Sequence, residues 1–312
     1  KTNWLAQVIH EQKLSIIKTL QSKGNIVTMT GDGVNDVPAL KQADVGIEMG
    51  ITGTEVAKEA SDVILIDDNF ASIKAAVEEG RRILDTLIKF ITWTLPTSFG
   101  EGLVILTSIF FGLLMPILPV QILWINMTTV LALGTMLIFE PKESDVMKRP
   151  PRRPNSPILT RDLAIQIIIV STCILISVYG LFEWSIEEGS AIEEARTIAV
   201  NTIVMIEIFY LFNCRSLTKS VFRIGFFSNK LIFLGVGIMI LLQIAFTYIP
   251  AMNEIFQSKP IGIESWLKIL GVSIITFLII ETKKIISNKL EIKTQNNNLE
   301  FDKDVATTKM SM

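Results

Sequence analysis

The sequence is poor in histidine, cysteine and charge: His10 is its only histidine, Cys173 and Cys214 are its only cysteines, and 19% of its 312 residues are charged. A single imidazole excludes a His-based metal centre. Two thiols, both in apolar or boundary sequence, imply no disulfide framework. Lys and Arg total 29 against 31 Asp and Glu, a net charge of −2 that leaves no basic excess for nucleic acid. No signal peptide opens the chain, which starts at Lys1 rather than Met and reads as a fragment of a longer protein. Apolar residues, by contrast, make up 49% and are unevenly spread. Up to about Lys89, charged and apolar residues mix as in a soluble α/β domain. From Phe90 to Ile280 long apolar runs dominate, which excludes a soluble globular protein of this size.

Crossing roughly 30 Å of hydrocarbon takes about 20 residues of helix. Six stretches qualify: Ile88–Leu114, Ile117–Phe139, Leu163–Phe182, Ile198–Phe212, Leu231–Ile249 and Trp266–Ile280. The fourth and sixth are short and should extend into flanking polar sequence. Met115-Pro116 makes the first two a tight hairpin. Cations collect in alternate loops: Lys142, Lys148, Arg149, Arg152, Arg153 and Arg161 in one, Arg215, Lys219, Arg223 and Lys230 in the next, then Lys283 and Lys284. The positive-inside rule puts these loops, the soluble head and the tail in the cytoplasm. An intervening loop is acidic through Glu183, Glu187, Glu188, Glu193 and Glu194, and Trp184 and Trp266 fall where an outer aromatic belt would lie. The polar, Asn-rich tail is expected to be disordered.

Polar residues inside the spans carry the functional information. Glu101 sits mid-span with Thr94 and Ser98 at helical spacing, and Pro96 and Gly100 should bend that helix and free backbone carbonyls. Asn126, Thr128, Thr129 and the weak point Gly134 lie in the second span, Asn201 and Glu207 in the fourth. An ionised carboxylate there is costly unless paired, so it marks an ion pathway; a protonated Glu packing two helices is the alternative. Asn and Thr serve equally as ligands or as interhelical glue. Two carboxylates with amide, hydroxyl and carbonyl oxygens suit a hard cation such as calcium.

In the head, Ile26 to Thr30 reads as a buried strand ending at Gly31-Asp32-Gly33, with a helix starting near Val37-Pro38. Val45-Gly46-Ile47 and Val63 to Ile66 read as further strands, with a helix over Glu55–Ala60 between them. This alternation argues a parallel α/β sheet, whose chemistry sits at the carboxyl ends of its strands. Asp32, Asn35 and Asp36 are at such an end and could hold Mg²⁺; a plain Asx-turn with a helix cap would use similar residues.

Thr30-Gly31-Asp32-Gly33-Val34-Asn35-Asp36-Val37-Pro38-Ala39-Leu40 resembles the TGDGVNDAPAL signature of P-type cation-transporting ATPases, with Val37 where Ala is usual. The resemblance continues through Asp67-Asp68-Asn69-Phe70, Pro119 to Asn126, and Met147 to Arg152, and is nearest to the type II calcium and sodium/potassium pumps. It implies an α/β haloacid-dehalogenase-like partial domain (1–80), an all-α six-helix transmembrane bundle (81–282, family helices five to ten) and a cytoplasmic tail (283–312). By resemblance Asp32 holds the catalytic Mg²⁺, with Asn35, Asp36, Thr30 and Gly31 completing the metal and phosphate environment. Lys13 matches the lysine that contacts the phosphoryl group, although Ile9-His10 stands where Glu-Pro is common. Ser98, Glu101, Asn126, Thr129 and Glu207 match ion-ligand positions. Val130 occupies a position that is Asp in calcium pumps, which lowers the charge of the site.

The DKTGT nucleophile motif, the nucleotide-binding and actuator domains and helices one to four do not occur in the chain. The resemblance therefore implies part of an ATP-driven pump in the plasma membrane, inactive alone, whose partners are the lipid bilayer, the transported cation and the missing N-terminal portion in cis or as a separate chain. A catalytically inert membrane fragment or split-gene partner is the competing expectation. A stand-alone phosphatase is excluded, because no Asp nucleophile precedes Lys13.

Overall fold

A computed structural model describes residues 9–143, 145–152, 156–216, 220–225 and 227–310, with side chains to residue 287; Arg153 and Lys219 lie outside the described residues. The chain forms two compact units, Lys1–Arg82 with Ser144–Ser156, and Ile83–Glu143 with Pro157–Met312.

The first unit opens with α1 (His10–Ser22) and holds a three-stranded parallel sheet in the order β1 (Thr28–Gly31), β2 (Val45–Met49), β3 (Val63–Leu65). Two short helices, α2 (Val37–Gln42) and α3 (Glu55–Ala60), make the crossovers. A 3₁₀ turn over Val34–Asp36 leads into α2, and Pro38 sits in its first turn, where a missing N–H costs nothing. The two faces of β2 differ. Ile47 and Met49 pack with Leu65 in a small core. Gly46 and Glu48 occupy the other face, where a Cβ on Gly46 would lie 2.7 Å from the Leu40 carbonyl oxygen, so glycine permits the close approach of α2.

The second unit is helical. Six helices are long and apolar enough to cross a membrane: α4 (Phe70–Phe111), α5 (Pro119–Ala132, continued by a 3₁₀ segment Gly134–Phe139), α6 (Arg161–Glu187), α7 (Ile192–Cys214), α9 (Lys230–Tyr248) and the Ile263–Ser287 part of α11 (Ile263–Met310). Short helices α8 (Val221–Ile224) and α10 (Pro250–Phe256) flank α9. The fourth and sixth spans extend at both ends, as their brevity in sequence required. α7 is the axis of the bundle: 89% of its most apolar window is buried, against 28–39% for the other five.

Two expectations are corrected. α4 begins at Phe70 rather than at the apolar boundary, because nothing between Phe70 and Ile88 stops a helix. The tail read as disordered continues α11 in helical backbone to Met310. From Asn288 to Met310 the sequence contains no Gly or Pro to end the helix.

The expected effect of Pro96 is visible. Proline lacks the N–H that would bond the carbonyl four residues back. That carbonyl belongs to Thr92, and the Tyr210 hydroxyl donates to it at 2.6 Å. Gly100 faces Ile174 so closely that a Cβ would fall 2.7 Å from its Cδ1, which brings α4 against α6. Gly134 marks the change from α to 3₁₀ geometry after α5.

Candidate functional site

Each unit brings together some of the polar side chains that the sequence singled out. In the first, β1 delivers Gly31 and then Asp32 at its carboxyl end. Gly31 is buried with no room for a side chain: a Cβ would lie 2.9 Å from Asp36 Cβ, 3.1 Å from Glu48 Oε2 and 3.2 Å from Leu40 Cδ1. The turn after it exposes Asp32 and Asn35 and buries Asp36, while Thr30 is half-buried in β1. From α1, Lys13 Nζ meets Asp36 Oδ1 at 2.6 Å. Lys13 and Asp36, singled out 23 residues apart, are thus partners, and Asp32 is left facing solvent.

Glu48 is the group the sequence reading missed. It pairs with Gly31 in the β1–β2 register and is fully buried. Neither carboxylate oxygen has a hydrogen-bond partner. Burial, and then the negative charges of Asp36 and Asp32, push its carboxyl above the usual range. Across the sheet, Asp68 accepts from the Ile51 and Thr52 amides at 3.0 and 2.9 Å and from the Thr52 hydroxyl at 2.9 Å. These bonds, that of Ile51 foremost, hold its carboxyl below the ordinary value. Asp67 is lowered too, chiefly by the Ser72 hydroxyl.

Among the described residues no three His, Cys, Asp or Glu side chains converge as a ready cage for a metal. The exposed Asp32 nonetheless offers a hard, anionic oxygen of the kind Mg²⁺ takes, in an acidic setting with Asp36 and Glu48 behind it and the remaining positions left for water and phosphate. The residues fit that ion.

The second cluster lies inside the bundle. Glu101 on α4 and Glu207 on α7 are 3% and 2% exposed and close enough to interact electrostatically. Asn126 on α5 donates to Glu101 Oε2 at 2.7 Å. The Thr97 and Thr129 hydroxyls lie near the Glu207 carboxylate, although that of Thr97 also donates back to its own helix, to the Trp93 and Thr94 carbonyls at 3.3 and 3.1 Å. Trp93, one turn before Thr97, donates its indole N–H to the Glu207 carbonyl at 3.1 Å, fixing α7 against α4. Glu101 Oε1, Glu207 Oε2 and Thr94 Oγ1 are buried with no hydrogen-bond partner. Neither glutamate forms an ion pair with Lys or Arg among the described residues.

Of the five predicted ion ligands, the structure gathers Glu101, Asn126, Thr129 and Glu207. Ser98 is exposed and makes no side-chain hydrogen bond among the described residues. Its neighbour Thr97 takes the position facing Glu207; the two differ by 100° around α4, and α7 lies on the side of Thr97. Thr128 bonds back to its own helix, to the Trp124 carbonyl at 2.7 Å, and so is not turned to the pair. Asn201 bonds Thr247 and the Thr197 carbonyl, away from the two glutamates.

Comparison with known proteins agrees with this architecture. Residues 114–286 match the family described as "Cation transporting ATPase, C-terminus". The chain is 54% identical over 277 residues to "Probable cation-transporting ATPase F" of Mycobacterium tuberculosis, an alignment covering 89% of the chain and 31% of that protein. It is 43% identical over 278 residues to "Calcium-transporting ATPase" of Bacillus subtilis, covering 88% and 31% respectively. "Cation-transporting ATPase pma1" of Synechocystis is 43% identical over 269 residues, with 84% of the chain and 30% of that protein covered. The chain therefore spans about a third of the length of these relatives. With the family match extending over more than half of its residues, the chain belongs to the cation-transporting ATPases and corresponds to their C-terminal portion.

Proposed function

We propose that the chain is the C-terminal part of a P-type ATPase that moves a hard cation such as calcium across a membrane. The observation that carries this reading is the meeting of Glu101, Glu207, Asn126, Thr97 and Thr129 inside an apolar bundle. Two buried carboxylates close together repel each other, and a cation between them offsets both the repulsion and their lost hydration. The partnerless Glu101 Oε1, Glu207 Oε2 and Thr94 Oγ1 are spare acceptors for such an ion.

The head is read as a partial haloacid-dehalogenase-like domain. Three parallel strands with the Asp-bearing loop at their carboxyl end support that reading. The aspartate that is phosphorylated from ATP lies outside this chain. Asp32 holds Mg²⁺, which when bound supplies positive charge to the transferring phosphoryl oxygens. Lys13, ordered by Asp36, presents its ammonium to the same group, while Thr30, Gly31 and Asn35 shape the loop around it. The N-terminal portion, in cis or as a separate chain, is the required partner. The bundle spans the plasma membrane with both termini in the cytoplasm, as the loop charges require.

The test uses the complete pump containing this chain, in inside-out vesicles. ATP-driven calcium uptake is expected to fall at least tenfold in Glu101→Gln and in Glu207→Gln. Asp32→Asn should abolish ATP hydrolysis while leaving calcium binding in place. Uptake unchanged in both glutamine variants overturns the assignment of the ion site.

A further inference from the structure

We infer that Glu48 is a positioning residue for the divalent cation at Asp32, a buried anion beneath the loop that strengthens cation binding without ligating it. This rests on the reading of Asp32 as the Mg²⁺ residue.

The placement follows from the sheet. A strand buried on both faces of a parallel sheet normally runs apolar throughout. In β2 the sequence Val45-Gly46-Ile47-Glu48-Met49 breaks that rule at one position. The parallel register sets Glu48 directly against Gly31, the last residue before Asp32. Because Gly31 has no side chain, Glu48 Oε2 reaches to 3.1 Å from where its Cβ would stand, on the side where Asp36 Cβ closes to 2.9 Å. The glycine is a window through which the carboxylate acts on the loop. Of the two buried carboxylates here, Asp36 is ion-paired with Lys13, whereas Glu48 forms no ion pair among the described residues.

A carboxylate with no exposure and no hydrogen-bond partner is expensive to bury. The Thr54 amide, without hydrogen-bond geometry, and the Lys58 ammonium favour its charged form, but more weakly than burial and the neighbouring aspartates disfavour it. Asp36 and Asp32 both add to the cost. A divalent cation at Asp32 reverses this balance, turning three mutually repelling carboxylates into the anionic surroundings of a positive charge. Outer groups hydrogen-bonded to a metal ligand change affinity by roughly 10–100-fold when removed, and Glu48, which acts through its charge alone, is set at the low end of that range.

The experiment titrates the full 312-residue chain, held in phosphatidylcholine nanodiscs, with Mn²⁺ followed by loss of the free-ion EPR signal and reversed by Mg²⁺. Binding lost in Asp32→Asn defines the share held by the head. Glu48→Gln, which keeps the shape and removes the charge, is expected to weaken that share about tenfold. Glu48→Ala must give the same loss, so that misfolding of one variant does not decide the outcome, and Glu48→Asp should recover part of it. Affinity unchanged in Glu48→Gln and Glu48→Ala, with Asp32→Asn still effective, overturns the role of Glu48 and leaves that of Asp32 standing. Binding indifferent to Asp32→Asn overturns both. A purely structural Glu48 would alter the unfolding midpoint and leave the Mn²⁺ affinity where it was.

Discussion

Arg215 ends the central helix α7 and is 1% exposed; its guanidinium meets Glu140, itself 4% exposed, through Nε at 3.1 Å and Nη2 at 3.0 Å from Oε1. The same guanidinium donates to the Ser228 hydroxyl, and Asn229 donates to Glu140 Oε2 at 2.9 Å. The cluster joins the loop after α5 to the loop before α9. Unit charges 3 Å apart attract by about 5 kcal/mol at an effective dielectric of about 20, and dehydration of both ions consumes most of that gain. Removing one partner leaves the whole dehydration cost of the other. Arg215→Met is therefore expected to destabilise the bundle by about 3–5 kcal/mol, since Glu140 keeps only the Asn229 amide among the partners described. Glu140→Met, which removes the carboxylate from the buried guanidinium, should cost a similar amount. The double variant, with neither charge buried, should lie within about 1–2 kcal/mol of the native chain. Unfolding in mixed micelles with rising SDS, followed by tryptophan fluorescence, gives all four free energies and hence the coupling. An Arg215→Met chain that loses less than 1 kcal/mol, or a double variant as unstable as either single one, would refute the reasoning.

Tyr210→Phe leaves the Thr92 carbonyl, freed by Pro96, without its donor and should cost about 1–3 kcal/mol in the same assay. In a Pro96→Ala background the restored backbone N–H serves that carbonyl and the cost should shrink; equal costs in both backgrounds would contradict the link. Gly235→Ala places a Cβ 2.2 Å from the Ala132 carbonyl oxygen and should destabilise by about 1–3 kcal/mol or more, whereas Gly237→Ala, in open space on the same helix, should not. Asp68, whose carboxyl is held low in the fold, contributes stability that is present above the unfolded value of about 3.9 and lost as pH falls through the folded one. Amide exchange at Ile51 and Thr52 should accordingly be faster in Asp68→Asn than in the native chain at pH 7, with the difference closing as pH falls below the unfolded value of about 3.9. A difference independent of pH would exclude the carboxylate as its source.

What sequence could and could not reveal divides along physical lines. Glu101, Asn126 and Glu207 stood out because polarity inside an apolar run is costly, and a costly residue has a purpose; the structure brings the three together. The choice between Thr97 and Ser98 was beyond reach, because both flank Glu101 within a turn and only the position of α7 distinguishes them. The start of α4 and the course of the tail were hidden for a common reason: hydropathy reports the surroundings of a helix, and a helix does not end where its surroundings change.

Glu48 escaped for the opposite reason to Glu101. In a head of mixed composition a glutamate excites no notice, and its meaning appears only once the register sets it against Gly31 and burial closes around it. A signal existed all the same, since Val45 to Met49 should be uniformly apolar as a strand of a parallel sheet. The rule that found the two glutamates in the bundle, a charge where the environment forbids one, applies equally to a soluble domain. There the forbidding environment is the middle of a sheet rather than a membrane, and it has to be inferred from strand order before the charge becomes conspicuous.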